Sequence, residues 1–258
     1  MLWLIAATDS TSATQTDTDL PFIAADQSLV VDASNHPLLP IPLWLMWSYA
    51  LGLTVTRMRL VIPRFRAFSR PAIRPIEQAA NPSSRPQFAE NWRHPIRLPA
   101  IEPIQVVRTN TTGIAERDYC LLCIGDGVRI SPPGDMFTVR FTTAFTPTAN
   151  AWSASGQLTF DDTLMQGHYS VIGVDGGATG GVAARLIPVG QPLVGPLVNA
   201  RPGIIWPTSL AQQGTRYNRF GYLGEFVRFL NVQPPQLEVL FTAATANPEG
   251  YFDIVKLD

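Results

Sequence analysis

Two cysteines form the chain's only arrangement with a recognised reactive spacing, Cys120-Leu-Leu-Cys123. A Cys-x-x-Cys pair can supply half of a zinc site, but there is no second pair, and His36, His94 and His168 are scattered along the sequence. The pair lies within Tyr119-Cys-Leu-Leu-Cys-Ile124, an apolar run typical of a buried strand. We therefore predict that both cysteines are core residues, and that the chain binds no metal and no cofactor.

Other potential catalytic features are weak. Gly173–Gly181 is rich in glycine but lacks the Gly-Lys-Ser/Thr ending of a phosphate-binding loop, so it is interpreted as a loop between strands. Asp161 and Asp162 are adjacent, with no sign of a cleft around them. The Gly-x-Ser-x-Gly motif is absent, and only the three histidines could act as general bases. No catalytic residue is assigned, and an enzyme is not expected.

The basic residues are unevenly distributed along the chain. Residues 1–56 carry a net charge of −5, residues 57–97 carry +7 and the remainder carries −3. The candidate interface or genome-facing residues in the basic segment are Arg57, Arg59, Arg64, Arg66, Arg70 and Arg74. They could neutralise packaged nucleic acid on the inner wall of a shell, or bind the acidic amino-terminal segment of the same or a neighbouring subunit. A solvated basic face without a partner is the third alternative.

The composition indicates how much of the protein surface is buried against partners. Only 15% of residues are charged and 46% are hydrophobic, against about 25% charged in an average soluble domain. Such a chain has few charges to spread over an exposed surface, which favours burial of that surface against partners. The alternative is a large core covered by serine and threonine.

Alternating apolar residues predict strands along most of the chain. Met136–Thr146 places Val139 and Phe141 on one face, and Leu53–Ile62 places Met58 and Leu60 opposite its arginines. Further strands are predicted at 104–109, 117–124, 157–160, 168–174, 182–189, 203–206, 225–232, 237–243 and 251–257, the last two as a closing hairpin. Residues 8–19 are predicted to be a flexible arm or surface loop, and the apolar run 38–53 a buried helical turn or core strand.

These elements predict an all-β fold, a jelly-roll β-sandwich with long proline-rich connections. The strand count lies between one jelly roll and two, so a double jelly roll stays open. The predicted division gives a first β-barrel at 1–150, with a flexible amino-terminal arm and the arginine- and proline-rich connection, and a second at 151–258. A single domain is the alternative.

Several segments resemble the major capsid proteins of tailless icosahedral bacteriophages. They are Arg57–Arg66 (RMRLVIPRFR), Ile73–Ile76 (IRPI), Gly167–Gly173 (GHYSVIG), Ala183–Ile187 (AARLI) and Arg201–Gly203 (RPG), and the resemblance covers about half the chain. It implies a jelly-roll major capsid protein, with two barrels per chain in homotrimeric capsomers. It also implies an inner surface that meets packaged nucleic acid or an internal membrane.

The predicted function is that of a self-assembling major capsid subunit located in the virion. Its expected partners are copies of itself, as a homotrimer within a larger shell, and other capsid proteins. The alternative is a receptor- or glycan-binding β-sandwich of the spike or lectin kind. That module would present exposed aromatic side chains such as Trp152, Trp206 or Tyr217 as a platform.

Overall fold

A computed structural model describes most of the chain: residues 2–23, 32–52, 54–64, 72–73, 88–89, 95–110, 113–127, 132–144, 148–177, 180–189, 203–205, 225–242 and 249–258. Within those ranges every helix or strand assigned is a strand. The all-β prediction is confirmed, and the sheets form β-sandwiches. In the described residues no helix is long and apolar enough to cross a membrane.

The chain divides into two compact units. The N-terminal unit comprises Ile5–Gly127 with Gly195–Ala200, and the C-terminal unit comprises Val128–Val194 and Arg201–Asp258 with Met1–Leu4. The main change from one unit to the other lies between Gly127 and Val128, upstream of the predicted boundary at residue 150.

Nine strands of the described residues belong mainly to the N-terminal unit: β1 (Leu2–Thr11), β2 (Gln15–Asp19), β3 (Leu43–Leu51), β4 (Val55–Val61), β5 (Ala72–Ile73), β6 (Phe88–Ala89), β7 (Ile96–Leu98), β8 (Gln105–Asn110) and β9 (Glu116–Gly125). One sheet has the order β1-β9-β3-β6, with β7 also paired to β3, and the other has the order β2-β8-β4-β5.

In the C-terminal unit the described residues form eight strands: β10 (Met136–Thr143), β11 (Gly156–Phe160), β12 (His168–Gly177), β13 (Gly181–Ile187), β14 (Gly203–Ile205), β15 (Val227–Leu230), β16 (Gln236–Phe241) and β17 (Glu249–Lys256). Their order is β14-β13-β16-β11-β10-β17-β12-β15. The β10–β11 pairing joins two four-stranded sheets, β10-β17-β12-β15 and β11-β16-β13-β14.

The two units share one strand order. If the strands of the C-terminal unit are numbered from first (β10) to eighth (β17), the strand order is first-eighth-third-sixth in one sheet and second-seventh-fourth-fifth in the other. The N-terminal unit has the same order if β6 and β7 together take the sixth position. This is the double Greek-key order of a jelly roll, in which successive strands pass between facing sheets. The chain therefore contains two jelly rolls in succession.

This order corrects the predicted closing hairpin. β16 pairs with β11 and β13, whereas β17 pairs with β10 and β12, so the two strands are not neighbours. The β10–β11 hairpin lies between them. The glycine-rich segment predicted as a loop is also partly strand, because β12 continues to Gly177 and β13 begins at Gly181.

Period-2 patterning is visible in the observed burial. Met58, Leu60, Val139 and Phe141 are buried, as the alternation in β4 and β10 predicts. Residues 43–51 form core strand β3, which pairs with the almost fully buried β9. One of the two interpretations of the apolar run, a core strand, is thus confirmed.

The predicted flexible arm at residues 8–19 is wrong. Residues 8–11 belong to β1 and residues 15–19 to β2, which pair with β9 and β8 respectively. Threonine is a good strand former, and Asp9 and Asp17 both pair with arginines of the same unit. Ion pairing therefore holds in place a segment whose polarity alone indicated a loop.

Candidate assembly surface

The six predicted arginines fall into two groups. Arg57 and Arg59 lie on β4, on the face opposite its buried residues, and Arg64 follows β4 by three residues. Arg66, Arg70 and Arg74 lie outside the described residues. The proline-rich connection that contains them also lies mostly outside the described residues.

Arg57 and Arg59 face an acidic residue of their own unit. Arg57 Nη2 lies 3.1 Å from Asp17 Oδ1, and Arg59 Nη1 lies 3.7 Å from Asp17 Oδ2. Asp17 belongs to β2 in the acidic amino-terminal segment, so these contacts match the intramolecular alternative for the basic segment. Both pairs are partly exposed and contribute little free energy on their own.

Arg64 contributes to a pocket that no motif had indicated. Its Nε lies 2.8 Å from Glu102 Oε1, yet 71% of its side chain is exposed. Arg64 and Arg97 line a cavity of about 430 Å³, together with Pro42, Pro99 and Ala100. The backbone of Arg97 pairs with Trp44 in the β3–β7 ladder, but within the described part of the chain its side chain has no hydrogen-bond or ion-pair partner. The pocket therefore combines positive charge with walls that contain two prolines.

Large apolar side chains are exposed in both units. They include Ile101, Val232 and Met165, which are 77%, 74% and 70% exposed. Ile41 and Ile101 are sequence neighbours of the pocket residues Pro42 and Ala100, so exposed apolar area adjoins the two arginines. Contiguous apolar surface marks interaction sites, whereas single exposed apolar residues are ordinary, so the nearness of Ile41 and Ile101 to the pocket makes this region a candidate contact surface.

The cysteines are core residues, as predicted. Cys120 and Cys123 are free thiols, fully buried in β9, and burial raises the pKa of both well above its usual range. Such thiols are poor nucleophiles because the thiolate is the reactive form.

The two histidines that the structure describes each lie beside carboxylate groups. His36 lies between Asp32 and Asp19, at 3.2 and 3.3 Å, and His168 Nδ1 lies 2.6 Å from Asp258 Oδ2. His94 lies outside the described residues. Among the residues that the structure describes, no group of three or more potential ligands could hold a metal ion.

The aromatic platform of the glycan-binding alternative is not present at Trp152. This side chain is only 9% exposed, and the Arg185 guanidinium stacks over its ring at 3.8 Å. Arg185 is in turn held by Glu238, 2.7 Å away. Trp152 is thus a packed residue of the C-terminal unit and does not supply the exposed platform that the glycan-binding alternative would use. Trp206 and Tyr217 lie outside the described residues.

A buried ion-pair network joins the two sheets of the N-terminal unit. Arg108 of β8 is fully buried and donates to Asp118 Oδ2 of β9 at 2.8 Å and to Asp9 Oδ2 of β1 at 2.8 Å. It also donates to Gln15 Oε1 at 2.9 Å and to the Asp9 carbonyl at 3.0 Å. One guanidinium therefore links β8 to three other strands, β1, β2 and β9, across both sheets, and this geometry holds the sandwich in register.

Asp118 is the carboxylate in this network whose ionisation is most perturbed. Its side chain is fully buried, and burial raises its pKa to about 6 although Asn110 and Arg108 both donate hydrogen bonds to it. The negative charge of Glu116 raises the pKa further. Glu116 is itself held by Asn110, at 2.8 Å, and by the backbone amide of Thr54, at 2.9 Å.

We expect the Asp118→Asn variant to lack a pH dependence that the unchanged protein shows. The folded protein binds the Asp118 proton more tightly than the unfolded chain, whose carboxyl has the ordinary pKa of 3.8. Its stabilising contribution is therefore full below pH 4 and is lost as the pH rises through 6. Urea unfolding at pH 4.5 and 7.5 measures this as a relative loss of about 2 kcal/mol between the two pH values. Parallel pH profiles for the two proteins would contradict it.

Sequence reasoning missed this network and the Arg64–Arg97 pocket. The sequence does contain a signal for the buried network, because Val106-Val107-Arg108 places a charged residue at an inward position of an apolar strand. The strand pattern places Arg108 on the same side as Val106, so its partner had to be internal. The pocket left no such signal, because its residues come from segments far apart in the sequence.

Comparison with known proteins adds little. No protein-family model matches the chain, and no curated protein matches it. Among solved structures, the chain is similar to the major capsid protein P2 from bacteriophage PM2. The identity is 8%, over 99% of this chain and 97% of that one, with a TM-score of 0.24. The resemblance is weak, and a TM-score this low carries no argument about fold or function.

Proposed function

We propose that this protein is a self-assembling coat subunit of an icosahedral virus, located in the virion and without chemistry of its own. The observation that carries the proposal is the repeated strand order of two jelly rolls in one chain. Jelly rolls occur in viral capsids, and also in lectins and cupins. The surface of this chain distinguishes among these classes.

Exposed apolar side chains favour the coat. Ile41 and Ile101 in the N-terminal unit, and Met165 and Val232 in the C-terminal unit, lie on the surface of a chain with few charged residues. Obligate assemblies bury large, apolar interfaces, often above about 2,000 Å². In a coat, neighbouring copies cover such surfaces on several sides of each subunit, whereas in a monomeric enzyme these surfaces would stay exposed to water.

The other candidate classes receive less support. A glycan-binding module needs an exposed aromatic platform, and Trp152 is packed beneath Arg185. A nucleophilic enzyme needs an activated side chain, and burial holds the pKa of both thiols high. These contrasts support the coat over its alternatives.

The finer proposal is a homotrimeric capsomer within a larger shell that also contains other capsid proteins. Three copies would bring six jelly rolls into one capsomer, which suits hexagonal packing. The inner surface would meet packaged nucleic acid or an internal membrane. Because Arg57 and Arg59 already face Asp17, the inward-facing charge would have to come from other arginines.

Sedimentation velocity tests the proposal. We expect the purified protein to sediment as a discrete oligomer of several chains at micromolar concentration, and to enter larger particles as concentration rises. A single species of about 28 kDa at all concentrations would contradict self-assembly. Glycan-dependent binding by that species would favour the lectin alternative.

A further inference from the structure

We infer that the Arg64–Arg97 pocket of one copy receives the Asp162–Met165 loop of a second copy. This inference rests on the proposed function, since it names one contact through which the coat would assemble. The contact joins two different surfaces. It is therefore head-to-tail, and repetition of it generates rings or extended arrays rather than a closed dimer.

The pocket is built to hold an acidic and apolar group. Its two arginines approach from separate segments; Arg64 is paired with Glu102, whereas the Arg97 side chain has no hydrogen-bond or ion-pair partner within the described part of the chain. Arginine is weakly hydrated and forks onto carboxylates, so it suits an interface that excludes water. Because Pro42 and Pro99 restrict the backbone of the pocket wall, little conformational entropy is lost there on binding.

Ile101 beside the pocket is held in a strained conformation. Its φ is 58°, a left-handed value that is an outlier for a β-branched residue, and 77% of the side chain is exposed. The loop is fixed by the hydrogen bond from the Ile101 amide to the Leu39 carbonyl at 2.9 Å. Backbone strain of this kind clusters at functional sites such as ligand clamps, which suits a role for Ile101 in binding.

The loop between β11 and β12 has the complementary features. Asp162 is exposed and has no ion-pair partner among the described residues, and Met165 is 70% exposed. The Tyr169 hydroxyl donates to the Met165 carbonyl at 2.8 Å, and the Gly167 amide donates to Asn231 Oδ1 at 3.3 Å. These two hydrogen bonds hold the loop in place, while the side chains of Asp162 and Met165 are exposed to solvent.

Charge and chemistry match across the two surfaces. The pocket offers arginine beside isoleucine, and the loop offers aspartate three residues before methionine. The neighbouring acid, Asp161, is already paired with Arg140 of its own unit, which leaves Asp162 for an external cation. A second copy therefore supplies the occupant that the pocket needs.

Charge reversal tests the contact. We expect Arg97→Glu and Asp162→Arg each to weaken self-association by about 10-fold or more, measured by sedimentation velocity. The double variant restores the pair with opposite signs and should recover most of the association. Arg117→Glu and Asp135→Arg make the same charge changes elsewhere in each unit and should leave association unchanged. Circular dichroism and thermal melting check that every variant folds.

The outcomes separate this contact from the proposed function. An unchanged protein that associates, with both single variants associating equally well, would overturn the contact and leave the coat proposal standing. Loss in both single variants without recovery in the double variant would also overturn the direct pairing. An unchanged protein that stays monomeric at every concentration would overturn the coat proposal itself.

Discussion

Replacement of Arg108 by methionine is expected to destabilise the N-terminal unit by about 3–5 kcal/mol. Arg108 is fully buried and is the cation bound to the equally buried Asp118. Without it, Asp118 must either stay ionised in an apolar environment or take up a proton. The loss should therefore be larger at pH 8 than at pH 5. Urea unfolding, with amide hydrogen exchange in β8 and β9, measures the effect.

Arg57→Met is the matched control for this prediction. Arg57 also pairs with an aspartate from another strand, but both side chains are partly exposed, so the expected loss is below about 1 kcal/mol. The double variant Arg108→Met with Asp118→Leu should recover much of the loss, because it leaves no charge buried at position 118. Equal losses of stability in Arg108→Met and Arg57→Met would show that the buried network has no special role.

Replacement of Gly250 by alanine is expected to destabilise the C-terminal unit by about 1–3 kcal/mol or more. Gly250 lies in β17 opposite Phe141 of β10 and Gly176 of β12. A Cβ atom there would lie 2.3 Å from the Asp175 carbonyl oxygen and 2.9 Å from Phe141 Cζ. The nearer atom is backbone, so relief requires strands β12 and β17 to separate. Thermal unfolding checks the effect.

Gly113→Ala is the control in this case. The closest atom to a Cβ at residue 113 is the Ser12 carbonyl oxygen, at 3.2 Å, in an exposed segment outside the strands that can shift by a few tenths of an ångström. Its effect should be well below that of Gly250→Ala. If the two alanines had the same cost, the tight packing of β17 between its neighbours would not be supported.

Strand existence could be predicted because the signal is local. Apolar residues alternate in β4 and β10, and turn residues separate the later strands, so segments such as 157–160 and 168–174 match β11 and β12 closely. The all-β class follows from these segments without any knowledge of their pairing. Cys120 and Cys123 could be placed in the core for the same reason.

Strand pairing could not be predicted, because it depends on residues far apart in the chain. β16 and β17 are adjacent in sequence, which favoured a hairpin, yet the jelly-roll order puts the β10–β11 hairpin between them. β1 and β2 were missed because Asp9 and Asp17 indicate a solvated segment until their arginine partners are known.

The candidate surface was only partly predictable for the same reason. The excess of arginine at residues 57–97 identified the segment that contains Arg64 and Arg97, but local charge could not show that Arg57 and Arg59 pair with Asp17. Nor could it show that Arg64 and Arg97 meet at one pocket. These contacts appear only when the sheets of the N-terminal unit are assembled.

Electron microscopy of the purified protein, or of particles from its native source, tests the coat assignment most directly. We expect regular shells, or uniform capsomers that each contain several copies of the two-jelly-roll chain. Well-dispersed single chains at high concentration, with no ordered particles under any condition, would contradict it.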